Sequence, residues 1–338
     1  MKKNTLILLV LLISVLVLCF VLKKDNDTTV RKDLVDFGIE NIDKIDKVRI
    51  TKKDQDGAIV LERKGEDYWL LNDTWAANIN NVALMLKTLN KMEVKSPVPE
   101  AGHKSVLNYM AVSGKKVEIF ENNKLIKTIY LGTTTSDDLG TYAMLKDAKS
   151  PYVLHIPGFQ GYLNTRFSHV KLDWRSKIIY SIESEEIKRA TVNWKENPEQ
   201  SFAIINDGED PYIQDAKGIK ASNGEINLNK VRSYLNHFEM IPFTVFAQNV
   251  SQENADSISN SEPFCVVEVE DKKGAVKKVR IYYKPVEKNT YDKFDEAGKP
   301  LEHEVEKYYA FVDSTTEILI IQNATFSKLM KKYKDFSL

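Results

Sequence analysis

Cysteine is scarce in this chain of 338 residues, which contains only two. Two cysteines cannot form a disulfide framework or a cysteine-rich zinc site. Glycine and proline are also few, at 14 and 10 residues, and this excludes collagen-like and low-complexity character. An excess of charge is missing too, because 48 basic residues balance 48 acidic ones, whereas nucleic-acid-binding proteins normally carry a basic excess. Only one long apolar run is present, which excludes a protein with many membrane spans.

That run extends from Leu6 to Leu22 and is apolar at all but one of its 17 positions. A helix of this length spans roughly 25 Å, slightly less than the hydrocarbon core of a bilayer. Lys2 and Lys3 precede the run together with the α-amino group. This charge favours a cytoplasmic N-terminus and places the rest of the chain in the periplasm or outside the cell. We therefore predict a single-pass anchor in the cell membrane over residues 1–24.

Two other fates of the apolar run stay open. A cleaved signal peptide needs small residues at its cleavage site, but Val21, Leu22 and Lys23 are all large. A lipoprotein signal would place a small residue before its cysteine, yet Leu18 precedes Cys19. An uncleaved anchor fits these residues better than either alternative.

An internal similarity organises the remaining chain. Asn80 and Asn229 are 149 residues apart, and each precedes apolar residues at the spacing of one helical stripe. We predict an amphipathic helix in both places, with the two asparagines as N-caps. The stripes consist of Val82, Met85, Leu86, Leu89 and Met92 in the first segment and Val231, Tyr234, Leu235, Phe238 and Ile241 in the second.

Short apolar segments separated by turn residues flank both helices in the same order. This pattern predicts an α+β fold, in which an N-terminal transmembrane helix precedes two tandem similar domains of antiparallel sheet with one main helix each. A charged loop of about fifteen residues, roughly 287–304, lengthens the second copy. The predicted segments are an anchor over 1–24, a linker over 25–44, a first repeat domain over 45–170, a junction over 171–186 and a second repeat domain over 187–338.

Sequence motifs of known catalytic sites are not found. The chain has no G-x-S-x-G elbow, no phosphate loop and no H-E-x-x-H, and no two of its five histidines are three or four residues apart. We therefore predict no enzyme activity, no catalytic, cofactor-binding or metal-binding residues, and no cofactor. The polar stretch Leu131–Gly140 could bind a ligand, but its residues are also those of ordinary turns. Cys265 lies in an apolar segment and is expected to be an inert core thiol.

The short connection between the two copies, residues 167–179, supplies the candidate interaction residues Trp174, Arg175 and His169. Arginine beside tryptophan can bind a partner by stacking, and both residue types are frequent at interface hot spots. The alternative is a structural plug in which Trp174 is buried and either Asp173 or Arg175 forms a salt bridge. Of these two interpretations, we favour the structural plug.

Several short motifs, in the order given at the end of this paragraph, resemble those of a bacterial domain-of-unknown-function family of membrane-anchored extracytoplasmic proteins with tandem α+β repeats. The resemblance covers roughly residues 45–330, although the second copy lacks a tryptophan equivalent to Trp69 near Tyr212. The motifs that carry it are Val48-Arg49-Ile50, Leu61-Glu62-Arg63, Tyr68-Trp69-Leu70, the helix from Asn80, Gly132 with Tyr142-Ala143, Asp173-Trp174-Arg175-Ser176-Lys177 and the restart at Ile187.

The resemblance implies an association with auxiliary components of gliding-type ABC transporters, beside which members of that family often occur. It supplies no catalytic or binding residues. Taken with the predicted anchor, it leads us to expect a binding or scaffolding protein of an envelope complex, with an envelope or transporter protein as partner and no role in nucleic-acid binding. The rival interpretations are an envelope-polymer hydrolase and a pair of domains that bind a small molecule or lipid.

The predicted topology can be tested with a tag placed after Leu338. If the anchor has the orientation given above, protease added to spheroplasts digests the tag, because the whole chain beyond Lys24 is outside the cytoplasm. The measurement is an immunoblot of the tag, with a cytoplasmic protein as the control for intact membranes. A fully protected tag would show that the orientation is wrong.

Overall fold

A computed structural model describes residues 35–53, 55–208, 210–222 and 224–338. The chain divides into two compact units, of which unit 1 ends at Ser176 and unit 2 comprises Lys177–Leu338. The predicted anchor and the part of the predicted linker before residue 35 lie outside the described residues. Within the described ranges, no helix combines the length and the apolar character that crossing a membrane requires.

Unit 1 contains nine strands and three α-helices in its described part. Its strands are β1 (Ile45–Lys52), β2 (Ile59–Arg63), β3 (Trp69–Leu71), β4 (Trp75–Ala76), β5 (Glu93–Pro97), β6 (Lys115–Glu121), β7 (Lys124–Thr134), β8 (Thr141–Leu145) and β9 (Tyr152–His155). Its helices are α1 (Ile79–Lys91), α2 (Glu100–Ser113) and α3 (Lys171–Trp174).

Unit 2 contains ten strands and three α-helices in its described part. Its strands are β10 (Ile178–Tyr180), β11 (Ile187–Trp194), β12 (Phe202–Ile205), β13 (Tyr212–Asp215), β14 (Ile241–Pro242), β15 (Val245–Phe246), β16 (Cys265–Asp271), β17 (Val276–Pro285), β18 (His303–Val312) and β19 (Leu319–Gln322). Its helices are α4 (Leu228–Asn236), α5 (Gln252–Asn260) and α6 (Asn323–Phe326). The predicted mixture of helices with antiparallel sheet is confirmed.

The large sheets of the two units have matching strand orders. Unit 1 has the order β4-β3-β2-β1-β6-β7-β8-β9-β5, and unit 2 has β13-β12-β11-β16-β17-β18-β19-β15, with β10 and β14 paired separately. Apart from β4, each strand of the first order has a counterpart at the same place in the second. The register agrees as well, because an irregularity follows Ile45 in β1 and Ile187 in β11.

Helices α1 and α4 bury the predicted apolar stripes against their own sheets. In α1 the buried stripe residues are Val82, Met85, Leu86 and Leu89. In α4 they are Val231, Tyr234 and Leu235, and Phe238 follows the helix as a buried residue. The spacing of three and four residues places these side chains on one helical face, so that each helix can close one side of a hydrophobic core.

The N-caps predicted at Asn80 and Asn229 are wrong by two residues in both units. Asn78 caps α1, where its side-chain oxygen accepts hydrogen bonds from the backbone N–H groups of Asn80 and Asn81 at 3.1 and 3.3 Å. Asn227 caps α4 in the same way. Both helices therefore begin earlier than predicted, and Asn80 and Asn229 lie in the first turn, where their N–H groups need the cap.

A second helix in each unit covers the other face of the sheet, whereas the sequence predicted only one main helix per copy. Along β8, Ala143 joins the core under α1, and its neighbour Tyr142 packs with Val106 of α2. Along β18 the same alternation occurs. Ala310 belongs to the core under α4, whereas its neighbour Tyr309 lies in the cluster that contains Ala255 of α5. Successive strand residues point to opposite faces, so α2 and α5 lie opposite α1 and α4.

The predicted longer loop of the second copy connects β17 to β18 over residues 286–302, where unit 1 has only residues 135–140 between β7 and β8. The base of this loop is tied by a buried ion pair, in which Lys284 Nζ lies 2.8 Å from Glu304 Oε1 and 2.8 Å from Glu287 Oε1. Burial alone would raise the pKa of Glu304, but hydrogen bonds from Lys284 and Thr290 outweigh it and lower that pKa.

The buried stripe of α1 gives a stability prediction with a matched control on the same helix. Leu86 is 8% exposed and Leu84 is 42% exposed. We expect Leu86→Ala to lower the free energy of unfolding by about 2–5 kcal/mol, because it leaves a cavity in the core. Leu84→Ala should change it by no more than about 0.5 kcal/mol. Urea unfolding followed by circular dichroism measures both, and equal losses would contradict the assigned helix face.

Candidate functional site

The three predicted interaction residues all lie in the closing segment of unit 1, which we define as residues 163–176. Trp174 is buried at 2% exposure, and its indole Nε1–H donates to the carbonyl oxygen of Ser168 at 2.8 Å. The carbonyl oxygen of Trp174 accepts a hydrogen bond of 2.7 Å from the backbone N–H of Asn78, the cap of α1. Trp174 therefore fixes the start of the main helix and is a buried structural residue.

Unit 2 closes in the same manner with its C-terminal residues. Phe336 is 2% exposed, and its carbonyl oxygen accepts a hydrogen bond of 2.8 Å from the N–H of Asn227, the cap of α4. An isolated antiparallel bridge accompanies the contact in both units, between Ala77 and Arg175 in the first and between Ile226 and Ser337 in the second. Trp174 thus occupies a position that the fold of each unit fills with a buried aromatic side chain.

Arg175 lies over Trp75 of β4, a residue that the sequence analysis did not single out. The Arg175 guanidinium carbon is 5.3 Å from the centroid of the Trp75 ring, and Lys171 Nζ is 4.8 Å from it. Trp75 is half-buried. We call Trp75, Lys171 and Arg175 the Trp75 surface. The only pattern in the sequence that could have indicated this surface is a tryptophan close behind Asn72 and Asp73, two residue types that favour turns. In the structure both residues have positive φ.

His169 lies in a partly buried polar cluster with two lysines. Its Nδ1 atom is buried and has no hydrogen-bond partner among the described residues, and the same holds for Asn164 Oδ1. Burial, followed by the charges of Lys52 and Lys115, lowers the pKa of His169, while Asp173 opposes this effect. We call Lys52, Lys115, Asn164 and His169 the lysine–histidine cluster.

Lys115 connects the sheet of unit 1 to the closing segment. Its Nζ donates to the backbone carbonyl oxygen of Asn164 at 2.8 Å. In the pairing of β6 with β1, Lys115 lies directly opposite Lys52. Burial is the main reason that the pKa of Lys115 falls to about 8, and the Lys52 charge contributes. Sequence reasoning missed both lysines, because neither is close to His169 along the chain.

The other predicted polar features have local structural contacts. His103 Nε2 lies 2.8 Å from the carbonyl oxygen of Val98, and His155 Nε2 lies 3.4 Å from Glu93 Oε1. In the polar stretch Leu131–Gly140, the hydroxyl of Thr134 at the end of β7 donates to Asp138 Oδ1 in the following turn at 2.7 Å. The described parts of the chain hold no group of three His, Cys, Asp or Glu side chains placed to bind a metal ion.

Cys265 lies on β16 in the core of unit 2, as the sequence predicted. It is fully buried and free, and burial raises the pKa of its thiol. The thiolate, which is the reactive form, is therefore disfavoured. Its register partner in β11 is Trp194, which packs against the same core.

A cleft of about 440 Å³ lies at the start of α4 in unit 2. Two of its charged side chains already take part in closing the unit. Lys230 Nζ donates to the carbonyl oxygen of Ser337 at 2.6 Å, and Asp335 accepts from the backbone N–H of Lys332 at 2.9 Å. Burial lowers the pKa of His237 in the same cleft, with a contribution from the Lys328 and Lys331 charges.

Comparison with known proteins identifies a family and nothing more specific. Residues 69–263 match the family described as domain of unknown function (DUF4340), and the match begins at β3 in unit 1 and ends after α5 in unit 2. No curated protein and no solved structure matches the chain. Because the matched region exceeds half of the 338 residues, the chain belongs to the DUF4340 family of domains of unknown function.

Proposed function

We propose that this chain is a membrane-anchored extracytoplasmic protein that binds or scaffolds other components of an envelope complex. Three features support the proposal: the single apolar run from Leu6 to Leu22, the charge in front of it, and the two units that follow. The matching strand orders support a duplicated domain, so we infer that the two units are tandem copies. An accessory role beside an ABC transporter is the more specific form of the proposal, and it rests on the family resemblance alone.

The Trp75 surface is the observation that carries the binding proposal. Trp75 belongs to β4, the strand at the edge of the unit 1 sheet, and it is half-buried. Lys171 and Arg175 both lie within cation–π distance of its ring. Tryptophan and arginine are enriched where a few residues dominate the energy of an interface. The arrangement therefore offers a partner protein an aromatic surface whose cationic neighbours are already in place.

The backbone keeps this surface ordered before any partner binds. The bridge between Ala77 and Arg175 fixes Arg175 beside the strand that carries Trp75. A preorganised surface loses less side-chain entropy on association, and this loss is one of the main costs of binding. We therefore assign partner recognition to the Trp75 surface and assign Trp174 to the fold.

This assignment gives a prediction that separates the two tryptophans. Trp174→Ala should lower the free energy of unfolding by about 3–5 kcal/mol, because the residue is buried and closes unit 1. Trp75→Ala should change it by about 1 kcal/mol or less, because the ring is only half-buried. Urea unfolding of the full-length chain in detergent measures both values. A larger loss for Trp75→Ala would show that Trp75 is mainly structural.

Photo-crosslinking in native membranes tests the binding proposal. We would place a photoreactive amino acid at Thr74, which is exposed beside Trp75, and at Val112 on α2 as a control that is also exposed. The Thr74 probe should form adducts with envelope proteins, and Trp75→Ala or Lys171→Gln should reduce their yield. Transporter subunits among the adducts would support the accessory role. Adducts that persist unchanged in both variants would overturn the Trp75 surface.

The rival functions predict different results in the same preparation. An envelope-polymer hydrolase would degrade its substrate when the purified full-length chain is added, and one His or carboxylate substitution would abolish that activity. A lipid- or small-molecule-binding pair of domains would extract its ligand from the membrane. Either result, without adducts at the Thr74 probe, would replace the scaffold proposal.

A further inference from the structure

Lys52 and Lys115 form a like-charge pair at the end of two paired strands. They are direct register partners in the antiparallel pairing of β1 with β6. Like charges directly opposite each other destabilise a sheet. Neither lysine forms an ion pair with any residue in the part of the chain that the structure describes. The pair is therefore an unfavourable feature within the sheet itself.

The equivalent place in unit 2 shows that the fold does not need these charges. There the register partners are Trp194 in β11 and Cys265 in β16, and both pack in the apolar core of that unit. The connection to the closing residues is also kept without an ammonium group, because Trp194 Nε1 donates to the carbonyl oxygen of Lys331 at 2.9 Å. In unit 1 the contact with the closing segment comes from the other strand of the pair, where Lys115 Nζ donates to the carbonyl oxygen of Asn164.

His169 and Asn164 add unpartnered polar atoms to the same place. His169 Nδ1 and Asn164 Oδ1 are both buried without a hydrogen-bond partner among the residues described. Leaving a buried polar group unpaired is unfavourable, and native proteins rarely do so without a reason. Lys115 Nζ contacts the closing segment at the carbonyl oxygen of Asn164, five residues before His169, and the charges of Lys52 and Lys115 lower the pKa of His169.

The net charge of the cluster is positive. Asp173 is the carboxylate that acts on it, and it offsets one of the two lysine charges. The hydroxyl of Ser168 also donates to this carboxylate. One positive charge remains when His169 is neutral, and two remain when it is protonated. An anion that accepts several hydrogen bonds would compensate this charge.

We propose that the lysine–histidine cluster is a binding site for a phosphate group. A phosphate ester carries between about 1.5 and 2 negative charges near neutral pH and has three acceptor oxygens. It can accept hydrogen bonds from Lys52, Lys115 and the imidazole of His169 together, while a protonated phosphate oxygen can donate to Asn164 Oδ1. A carboxylate has one charge and two oxygens, so it matches the cluster less well. The site does not depend on the scaffold function proposed above.

Protection of Lys115 from acetylation tests the site in the full-length chain. The protein is purified in a detergent without phosphate, and acetylation is measured at pH 8 by mass spectrometry with and without inorganic phosphate. Lys116 is the internal reference, because it pairs with Glu118 at 2.5 Å and lies on the other face of the same strand. We expect saturating phosphate to slow labelling of Lys115 relative to Lys116 at least about fivefold, which corresponds to steric and charge protection of one amine.

Variants locate the protection. Lys52→Gln and His169→Gln should each weaken phosphate binding roughly tenfold, the typical effect of losing a charge-assisted hydrogen bond. Lys116→Gln should leave binding unchanged. The proposal would be wrong if phosphate did not change the ratio of Lys115 labelling to Lys116 labelling. It would also be wrong if phosphate still protected Lys115 in both the Lys52→Gln and the His169→Gln variants. The measurement on the unmodified chain remains decisive if Lys52→Gln does not fold.

Sulfate reports the part played by His169, because its two charges do not change between pH 5 and pH 8. The groups that face the imidazole are Lys52, Lys115 and Asp173. Burial and the two lysines lower the pKa of His169, whereas the pKa of Lys115 is about 8, so we compare sulfate binding at pH 5 and pH 7, below the range in which Lys115 loses its proton. Sulfate binding should strengthen as the pH falls and His169 gains its proton, and His169→Gln should remove this dependence. A dependence that His169→Gln leaves intact would contradict the assignment.

Two sources could supply the phosphate group, and the same protection assay distinguishes them. Inorganic phosphate and glycerol 3-phosphate represent soluble ligands. Vesicles that contain phosphatidic acid represent a lipid headgroup, with phosphatidylcholine vesicles as the control. Protection by the soluble ligands assigns the site to free phosphates, and protection by phosphatidic acid vesicles alone assigns it to lipid. Protection by neither would overturn the proposal, whereas the crosslinks expected at Thr74 would be unaffected.

Discussion

Unit 1 depends on the hydrogen bond from the backbone N–H of Asn78 to the carbonyl oxygen of Trp174, which connects its main helix to its closing segment. It joins the end of the unit to the first turn of its main helix, although the two residues are far apart in sequence. The side chain of Asn78 caps that helix, so its own backbone N–H must be satisfied by another element. The closing segment and the N-terminus of α1 therefore stabilise each other through the same residue, Asn78.

Both proposed binding sites depend on this closure. Burying Trp174 places Arg175 beside Trp75, and the indole hydrogen bond of Trp174 to Ser168 holds the chain next to His169. Loss of Trp174 would disturb the two sites together with the fold. For this reason Trp174 itself is a poor probe of function, and substitutions at the surface or in the cluster are better ones.

The main helices and the strand pattern could be predicted from sequence, because their signals are local. The stripes around Leu86 and Leu235 repeat with helical spacing, and a core needs only that face to be apolar. The N-caps were misplaced because Asn78, Asn80 and Asn81 lie close together, and residue type alone does not show which one precedes the helix. Helix α2 escaped prediction because it buries only Val106, which leaves almost no stripe to detect.

The candidate sites could be predicted only in part, because their contacts are between distant parts of the chain. Trp174, Arg175 and His169 could be identified as a group, because they lie within seven residues of one another in the sequence. Their environment was not, because Trp75 and Lys115 reach them only through the pairing of strands and the return of the closing segment. The strand register determines which residues lie opposite each other in a sheet, and a single sequence does not show this register residue by residue.

The comparison of the two units separates what the fold requires from what one unit has in addition. The fold requires a buried aromatic residue at the closure, and Trp174 and Phe336 both meet this need. It also requires a donor that ties the sheet to the closing residues, and Lys115 and Trp194 both supply one. An uncharged donor is sufficient in unit 2, so stability alone does not explain a charged one in unit 1. A partly buried charge is unfavourable unless it is compensated, and the proposed phosphate would compensate the lysine charge that Asp173 does not offset.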